Sequence, residues 1–188
     1  MKLVILDRDG VINQDSANFI KNTNEWIPIP GSLEAIALLN QSGFRVAVAT
    51  NQSGVSRGLF DMATLNSIHD KMLRELAQIG GRIDAIFYCP HAADERCQCR
   101  KPKPGMILEI GKRFSVELDK VPAVGDALRD LHAYAAAGCQ PILVRTGKGE
   151  ATLAAAAKSA DNALPENTWV CADLNEAVQR IIAAYIPA

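Results

Sequence analysis

The stretch of sequence that decides the fold is Lys2-Leu3-Val4-Ile5-Leu6-Asp7-Arg8-Asp9-Gly10-Val11. It opens with a short apolar run that has the length of a buried strand. The run stops at two aspartates, Asp7 and Asp9, which are separated by one residue. Functional groups collect beyond the carboxyl ends of the strands in a parallel sheet. We therefore predict a buried strand over residues 2–6 with acidic groups at its carboxyl end.

The rest of the chain alternates short apolar runs with helical patterns. Further strands are predicted at Phe44–Ala49, Ala85–Tyr88, Ala123–Val124, Ile142–Val144 and Trp169–Cys171. Helices are predicted at Ser32–Gln41, 62–79 after an N-cap at Asp61, Pro104–Phe114, Leu128–Ala137, Ala151–Ala160 and about 173–185. This alternation is typical of an α/β three-layer sandwich, in which helices cover both faces of a parallel sheet.

Composition limits the class of protein. The chain has 188 residues, which favours a single domain over residues 1–188, and its 20 Lys plus Arg against 21 Asp plus Glu give a net charge of -1. That balance argues against a nucleic-acid partner held by phosphate attraction. No apolar run approaches the ~18 residues of a membrane span, and the start of the chain does not resemble a signal peptide. We expect a cytoplasmic monomer without a membrane partner.

Polar groups follow two other predicted strands. Thr50-Asn51-Gln52-Ser53-Gly54 follows the second strand, and Gly125-Asp126 follows the fourth, with Asp130 four residues on. Two close carboxylates in a cleft of low dielectric constant repel each other unless a cation lies between them. The alternative is a solvated turn, because Asp and Gly are common in turns. The hydroxyl and the third acid at neighbouring strand ends make the turn interpretation the weaker one.

Together these residues resemble the motifs of the haloacid dehalogenase-like (HAD) phosphatase superfamily. The first motif matches Asp7-x-Asp9-Gly10-Val11, the second Thr50, the third Lys101, and the fourth Gly125-Asp126-x-x-x-Asp130. The resemblance implies a Rossmann-like parallel sheet of the HAD type. By the same resemblance Asp7 is the nucleophile that forms an aspartyl-phosphate, and Asp9 is the general acid and base.

The resemblance also implies how charge is balanced at the phosphoryl group. Thr50 and one lysine would bind the phosphoryl oxygens. Arg100-Lys101-Pro102-Lys103 offers two lysines, and the family pattern favours Lys101 over Lys103. Oxygen ligands suited to Mg²⁺ come from Asp7, the backbone carbonyl of Asp9, and Asp126. Asp130 either orients a metal-bound water or a cationic partner, or serves as a first-turn helix acid.

Three of the five cysteines lie close together in a separate motif. Cys89-Pro90-His91 and Cys97-Gln98-Cys99 form a Cys₃His set, which suits a structural, tetrahedral Zn²⁺ site. Incidental thiols and a redox pair are the alternatives, and a redox pair leaves His91 unexplained. We predict a zinc-stabilised loop over residues 89–99 that leads into Arg100 and Lys101. Cys139 and Cys171 are expected in the core.

The spacing of the motifs leaves no room for the cap domain that this superfamily often carries. An uncapped chain with a zinc loop resembles the subgroup of D,D-heptose 1,7-bisphosphate and histidinol-phosphate phosphatases, and the former more closely. That resemblance implies removal of the C7 phosphate of D-glycero-D-manno-heptose 1,7-bisphosphate. Histidinol phosphate is the alternative substrate, and a non-catalytic zinc-stabilised binding module is the remote one. The candidate substrate-binding residues are Asp15, Asn18, Asn51, Gln52, Ser53, Arg57 and Arg100.

Overall fold

A computed structural model describes residues 1–185 of the chain. The strands are β1 (Lys2–Leu6), β2 (Phe44–Asn51), β3 (Ala85–Cys89), β4 (Pro122–Gly125), β5 (Gln140–Val144) and β6 (Trp169–Cys171). The helices are α1 (Ser32–Gln41), α2 (Met62–Gln78), α3 (Gly105–Phe114), α4 (Leu128–Ala136), α5 (Gly149–Ala156) and α6 (Leu174–Tyr185). Short 3-10 helices lie at Leu118–Lys120 and Ala160–Asn162.

The six strands form one parallel sheet in the order β3-β2-β1-β4-β5-β6. Side chains alternate along β1, so Val4 and Leu6 enter one core and Leu3 and Ile5 enter the other. Helices α1, α2 and α6 cover the first face, and α3 and α4 cover the second. The predicted three-layer α/β fold is confirmed, and no cap is present among residues 1–185.

The order of the strands positions the site. The chain reverses direction across the sheet between β1 and β4, and the crevice at such a reversal is where parallel α/β folds bind ligands. Residues that follow β1, β2 and β4 therefore meet at one edge of the sheet, although those after β1 and those after β4 lie more than 100 positions apart in the sequence.

The structure shifts several predicted boundaries. Strand β2 continues through Thr50 and Asn51, because both residues pair with β3. The predicted helix over Ala151–Ala160 is α5, which begins at Gly149 and ends at Ala156 before the second 3-10 helix. No helix among the described residues is long and apolar enough to span a membrane.

Candidate active site

Three carboxylates and one ammonium group form the centre of the site. Oxygens of Asp7, Asp126 and Asp130 lie within 4.8 Å of one another. Lys101 Nζ lies 3.0 Å from Asp7 Oδ1 and 2.8 Å from Asp130 Oδ1, and it donates to the carbonyl of Ala49 at 2.7 Å. All four ionisable side chains are buried. Lys101 is therefore the cation in direct contact with these buried acids, and Arg129 Nε lies farther away, 3.9 Å from Asp130 Oδ1.

Burial and mutual repulsion disturb the protonation of these acids. Burial raises the pKa of Asp7 to about 6 against the opposing charge of Lys101, and the negative charges of Asp130 and Asp9 add to the rise. Burial, with the charges of Asp130 and Asp7, raises the pKa of Asp126 to about 8. In addition, Asp126 Oδ1 is buried and has no hydrogen-bond partner. A divalent cation at this point would relieve both the excess of negative charge and the unpartnered oxygen.

Two glycines allow Asp126 to approach β1. Gly10 (φ 83°) and Gly147 (φ 57°) both have left-handed backbone, and a Cβ on either residue would overlap the Asp126 carboxylate. The backbone N–H of Lys148 donates to Asp126 Oδ2 at 2.7 Å. The segment after β5 thus completes the acid cluster, which makes Gly147 and Lys148 site residues that the sequence reasoning missed.

Asp9 lies at the edge of this cluster in a dense set of hydrogen bonds. Arg8 donates to both oxygens of its carboxylate, Asn13 Nδ2 donates to Oδ1 at 2.9 Å, and Gln52 Nε2 donates to Oδ2 at 3.0 Å. Burial alone would raise the pKa of Asp9, but the Arg8 charge and the hydrogen bonds outweigh it and hold this pKa below its usual value. Without a ligand, Asp9 is therefore an ionised carboxylate in a fixed orientation.

The second and third motifs are joined by hydrogen bonds. The side-chain amide of Asn51 donates to the backbone carbonyl of Lys101 and accepts from its N–H, each at 3.1 Å. Gln52 Nε2 donates to Thr50 Oγ1 at 2.8 Å, so the Thr50 hydroxyl proton is free to donate elsewhere. Lys103 is exposed and donates to the carbonyl of Cys97 at 2.6 Å. The structure thus places Lys101, and not Lys103, at the acids.

A cavity of about 310 Å³ opens beside Asp7 and Asp9. Its lining includes four cationic side chains, those of Arg57, Arg100, Arg129 and Lys148. Neutral and acidic lining residues are Asp15, Ser16, Ala17, Phe19, Ile20, Thr50, Asn51, Gln52 and Ser53. The combination of an acid centre with a cationic rim suits a substrate that carries more than one phosphate group.

The lining includes six of the seven predicted substrate-binding residues. The exception is Asn18, which is exposed and does not line the cavity, whereas its neighbours Ala17 and Phe19 do. Arg129 is a second cationic lining residue, besides Lys148, that was not predicted, and its Nε is buried without a hydrogen-bond partner. Its position after Asp126, at the start of α4, is the signal that could have found it.

The Cys₃His set converges after β3. Cys89 Sγ lies 3.7 Å from Cys97 Sγ, 3.3 Å from Cys99 Sγ and 3.5 Å from His91 Nδ1. These separations are too long for a disulfide, whose sulfurs are about 2.05 Å apart. They are near the edges of about 3.7 Å expected for a tetrahedron with zinc–sulfur bonds of about 2.3 Å. Cys139 and Cys171 are buried in the core, as predicted.

Comparison with known proteins now places the chain in a class. A family model described as HAD-hydrolase-like matches residues 98–177, which include Lys101 and Asp126. The crystal structure of D,D-heptose 1,7-bisphosphate phosphatase from Bordetella bronchiseptica, complexed with magnesium and phosphate, is 59% identical and superposes with a TM-score of 0.92. That match covers 97% of this chain and 98% of the other. The class that the fold and the site define is that of the HAD-like hydrolases.

The sequence relatives are more specific. A D-glycero-β-D-manno-heptose-1,7-bisphosphate 7-phosphatase from B. bronchiseptica is 59% identical over 97% of this chain and 98% of its own length. The protein with that name from Pseudomonas aeruginosa is 52% identical over 92% of this chain and 93% of its own length. The crystal structure of the Burkholderia thailandensis D,D-heptose 1,7-bisphosphate phosphatase is 48% identical, with a TM-score of 0.76 over 97% of this chain and 99% of the other. The chain belongs to this family of sugar bisphosphate phosphatases.

Proposed function

We propose that this protein hydrolyses D-glycero-β-D-manno-heptose 1,7-bisphosphate at C7 and releases inorganic phosphate and heptose 1-phosphate. The observation that carries the proposal is the ionisable centre of Asp7, Asp126, Asp130 and Lys101 beside a cavity with four cationic side chains. The names of the relatives supply the sugar, the position of the reacting phosphate and the β anomer. The reaction is one step in the supply of nucleotide-activated heptose for lipopolysaccharide.

In the first half-reaction a carboxylate oxygen of Asp7 attacks phosphorus and the bond from phosphorus to the C7 oxygen breaks. Asp9 gives a proton to the departing alkoxide, and Asp7 becomes an aspartyl-phosphate. A phosphate dianion beside Asp9 adds negative charge and raises its pKa, so the substrate itself favours the protonated form that this step needs.

In the second half-reaction Asp9 removes a proton from water, and the water oxygen attacks phosphorus as the bond to Asp7 breaks. Phosphate leaves and Asp9 has recovered its proton. The Thr50 hydroxyl, whose proton is free, donates to a phosphoryl oxygen. The Lys101 ammonium already has three acceptors and reaches the phosphoryl group by exchanging one of them.

The acid centre fits Mg²⁺. Asp7, Asp126 and the backbone carbonyl of Asp9 are the residues that would hold it, and the unpartnered Asp126 Oδ1 supports that assignment. Bound there, the cation offsets the repulsion between Asp7 and the phosphoryl group. The Asp130 carboxylate forms an ion pair with Lys101 and accepts a hydrogen bond from the backbone N–H of Ala127 at 3.0 Å. We therefore assign Asp130 the role of positioning Lys101.

The second phosphate of the substrate is assigned to the cationic rim, with Arg100 and Arg57 as its main contacts. Arg57 is exposed and lies over the ring of Phe19, 6.0 Å from its centroid, while Arg100 Nη1 donates to the His91 carbonyl at 3.1 Å. The rest of the Arg100 guanidinium is available for a bidentate contact with phosphate. Asp15, Gln52 and Ser53, which line the cavity, are proposed to contact the sugar, whereas Asn18 lies outside the lining.

We assign a structural Zn²⁺ to Cys89, His91, Cys97 and Cys99, since four protein ligands leave no open position for catalysis. The metal would fix the loop that carries Arg100 and Lys101. Cysteines that bind a metal instead of forming disulfides fit the reducing cytoplasm predicted above. The single domain over residues 1–188, the monomeric state and the lack of a nucleic-acid or membrane partner stay predictions.

A substrate panel tests the proposed activity. Phosphate release is measured from the β and α anomers of D-glycero-D-manno-heptose 1,7-bisphosphate and from histidinol phosphate, with Mg²⁺ present. We expect the highest kcat/KM for the β anomer. Faster turnover of histidinol phosphate would replace the proposed substrate, and no turnover of any of the three would favour the non-catalytic binding module.

A further inference from the structure

We propose that Arg8 and His69 are positioning residues that fix the carboxylate of Asp9 for proton transfer. The inference rests on the proposed role of Asp9 as general acid and base. Arg8 lies between the two catalytic aspartates in the sequence, in the position that the first motif leaves open.

The Arg8 side chain is fully buried and is not part of the cavity lining, so it does not reach a substrate there. Its Nε lies 3.0 Å from Asp9 Oδ1, and its Nη2 lies 2.9 Å from Oδ1 and 3.1 Å from Oδ2. A guanidinium that contacts both oxygens fixes the plane of a carboxylate as well as its position.

The remaining nitrogen of the guanidinium contacts another element of the fold. Arg8 Nη1 lies 3.2 Å from Nε2 of His69, a buried residue of α2 that is 61 positions away. A guanidinium only donates hydrogen bonds, so His69 accepts through Nε2 and carries its proton on Nδ1. His69 thus prevents the guanidinium from turning about its bonds, and α2 holds Asp9 through it.

The other contacts of Asp9 do not replace this pair. Asn13 and Gln52 each give one hydrogen bond to one carboxylate oxygen, and each comes from a single atom. Only Arg8 bridges both oxygens among the hydrogen bonds of the described residues. A displaced carboxylate would still be present but would meet the leaving oxygen in the wrong geometry.

Changing Arg8 itself would leave a buried carboxylate without its ion pair and could unfold the region. The test therefore uses His69→Leu, which removes the acceptor, and His69→Gln, which supplies another acceptor at a similar reach. His132→Leu is the matched control, because His132 is exposed on α4 and lies outside the site.

Each variant is assayed with heptose 1,7-bisphosphate and with 2,4-dinitrophenyl phosphate, whose leaving group departs without a proton. We expect His69→Leu to lower kcat/KM about 10- to 100-fold for the sugar and less than about 3-fold for the aryl ester. His69→Gln should recover most of the loss, and His132→Leu should match the wild type.

Equal losses on both substrates, or no loss on the sugar, would overturn the inference. Asp9→Asn serves as the reference and should show the same dependence on the leaving group in stronger form. If Asp9→Asn lacks that dependence, the proposed role of Asp9 fails, and the inference fails with it. If Asp9→Asn shows the dependence on the leaving group and His69→Leu does not, only the positioning role of Arg8 and His69 fails.

Discussion

Each ionisable side chain in the centre of the molecule has a protonation state set by its immediate neighbours. Lys101 is held by two carboxylates and a carbonyl, and Asp9 is held by Arg8. Asp126 differs, because one of its oxygens has no partner and its neighbours are acids. We therefore expect a cation to bind at the point where the charges of the site do not cancel.

The protonation state of His69 makes the stability of the fold depend on pH. Burial and the positive charge of Arg8 lower the pKa of His69 to about 4, from 6.5 in a solvated chain. Between these two pH values the unfolded chain binds more protons than the folded protein. The contribution of His69 to the free energy of unfolding is therefore complete above about pH 6.5 and falls as the pH falls, by up to about 1.4 kcal/mol per pH unit.

The variant His69→Gln should lack this part of the pH dependence. Urea unfolding at pH 7 and pH 5 measures it, and the wild type should lose more stability than the variant between the two conditions. The same loss in both proteins would show that His69 is protonated as easily in the folded protein as in the unfolded chain.

Gly147 offers a second test at a single position. An alanine there has to adopt a left-handed backbone and also meets the Asp126 carboxylate. Gly138 is the matched control, since it has φ 87° but a Cβ added there would meet open space. Gly138→Ala should cost only the backbone strain, roughly 1 kcal/mol.

Gly147→Ala should add to that strain a displacement of Asp126, seen as a higher Mg²⁺ concentration for half-maximal activity. Urea unfolding and Mg²⁺ titration of both variants separate the two effects. An unchanged Mg²⁺ requirement in Gly147→Ala would mean that Asp126 can move aside without consequence.

The residues proposed to carry the chemistry could be predicted from their types, whereas residues that act through contacts in the fold were missed. Asp7, Thr50 and Asp126 stand directly at strand ends, where their residue types are conspicuous. Gly147 follows β5 and could have been found by the same rule. His69 had no partner in the sequence, because its contact with Arg8 depends on how α2 packs against the sheet.

At the scale of elements, the sheet was predictable because each strand is a short apolar run and each connection is helical. The pairing of Thr50 and Asn51 with β3 could not be predicted from the sequence, since it depends on the register of a neighbouring strand. The helix over Ala151–Ala160 was predicted too long because its alanine composition favours a helix without marking where the helix ends.

The loop after β3 is expected to bind one zinc ion per chain. Cys97→Ser removes one ligand and should abolish binding, whereas Cys171→Ser changes a core cysteine and should leave the metal in place. Metal analysis of the purified proteins checks this. Wild-type protein without zinc, or zinc retained in Cys97→Ser, would contradict the assignment.

At the scale of the whole molecule, a net charge of -1 conceals a separation of charge. The acids are buried at the carboxyl ends of β1 and β4, and the cations line the cavity beside them. Because the described chain has no cap, we expect the segments that carry those cations to select the substrate.

Removal of one rim cation tests this division. Arg100→Gln should lower kcat/KM for heptose 1,7-bisphosphate about 10-fold or more, the effect of losing a hydrogen bond to a charged group. The same substitution should leave kcat/KM for heptose 7-phosphate unchanged, since that sugar lacks the second phosphate. Steady-state assays with both sugars measure it, and equal losses would place Arg100 at the reacting phosphate.

The proposed mechanism depends most on Asp7, the residue that would carry the phosphoryl group. The most direct test is phosphate release from heptose 1,7-bisphosphate by Asp7→Asn, with circular dichroism to show that the fold is kept. We predict a fall in kcat of at least about 1,000-fold, because an amide oxygen is a poor nucleophile toward phosphorus. Release at the wild-type rate by the folded variant would contradict the covalent mechanism.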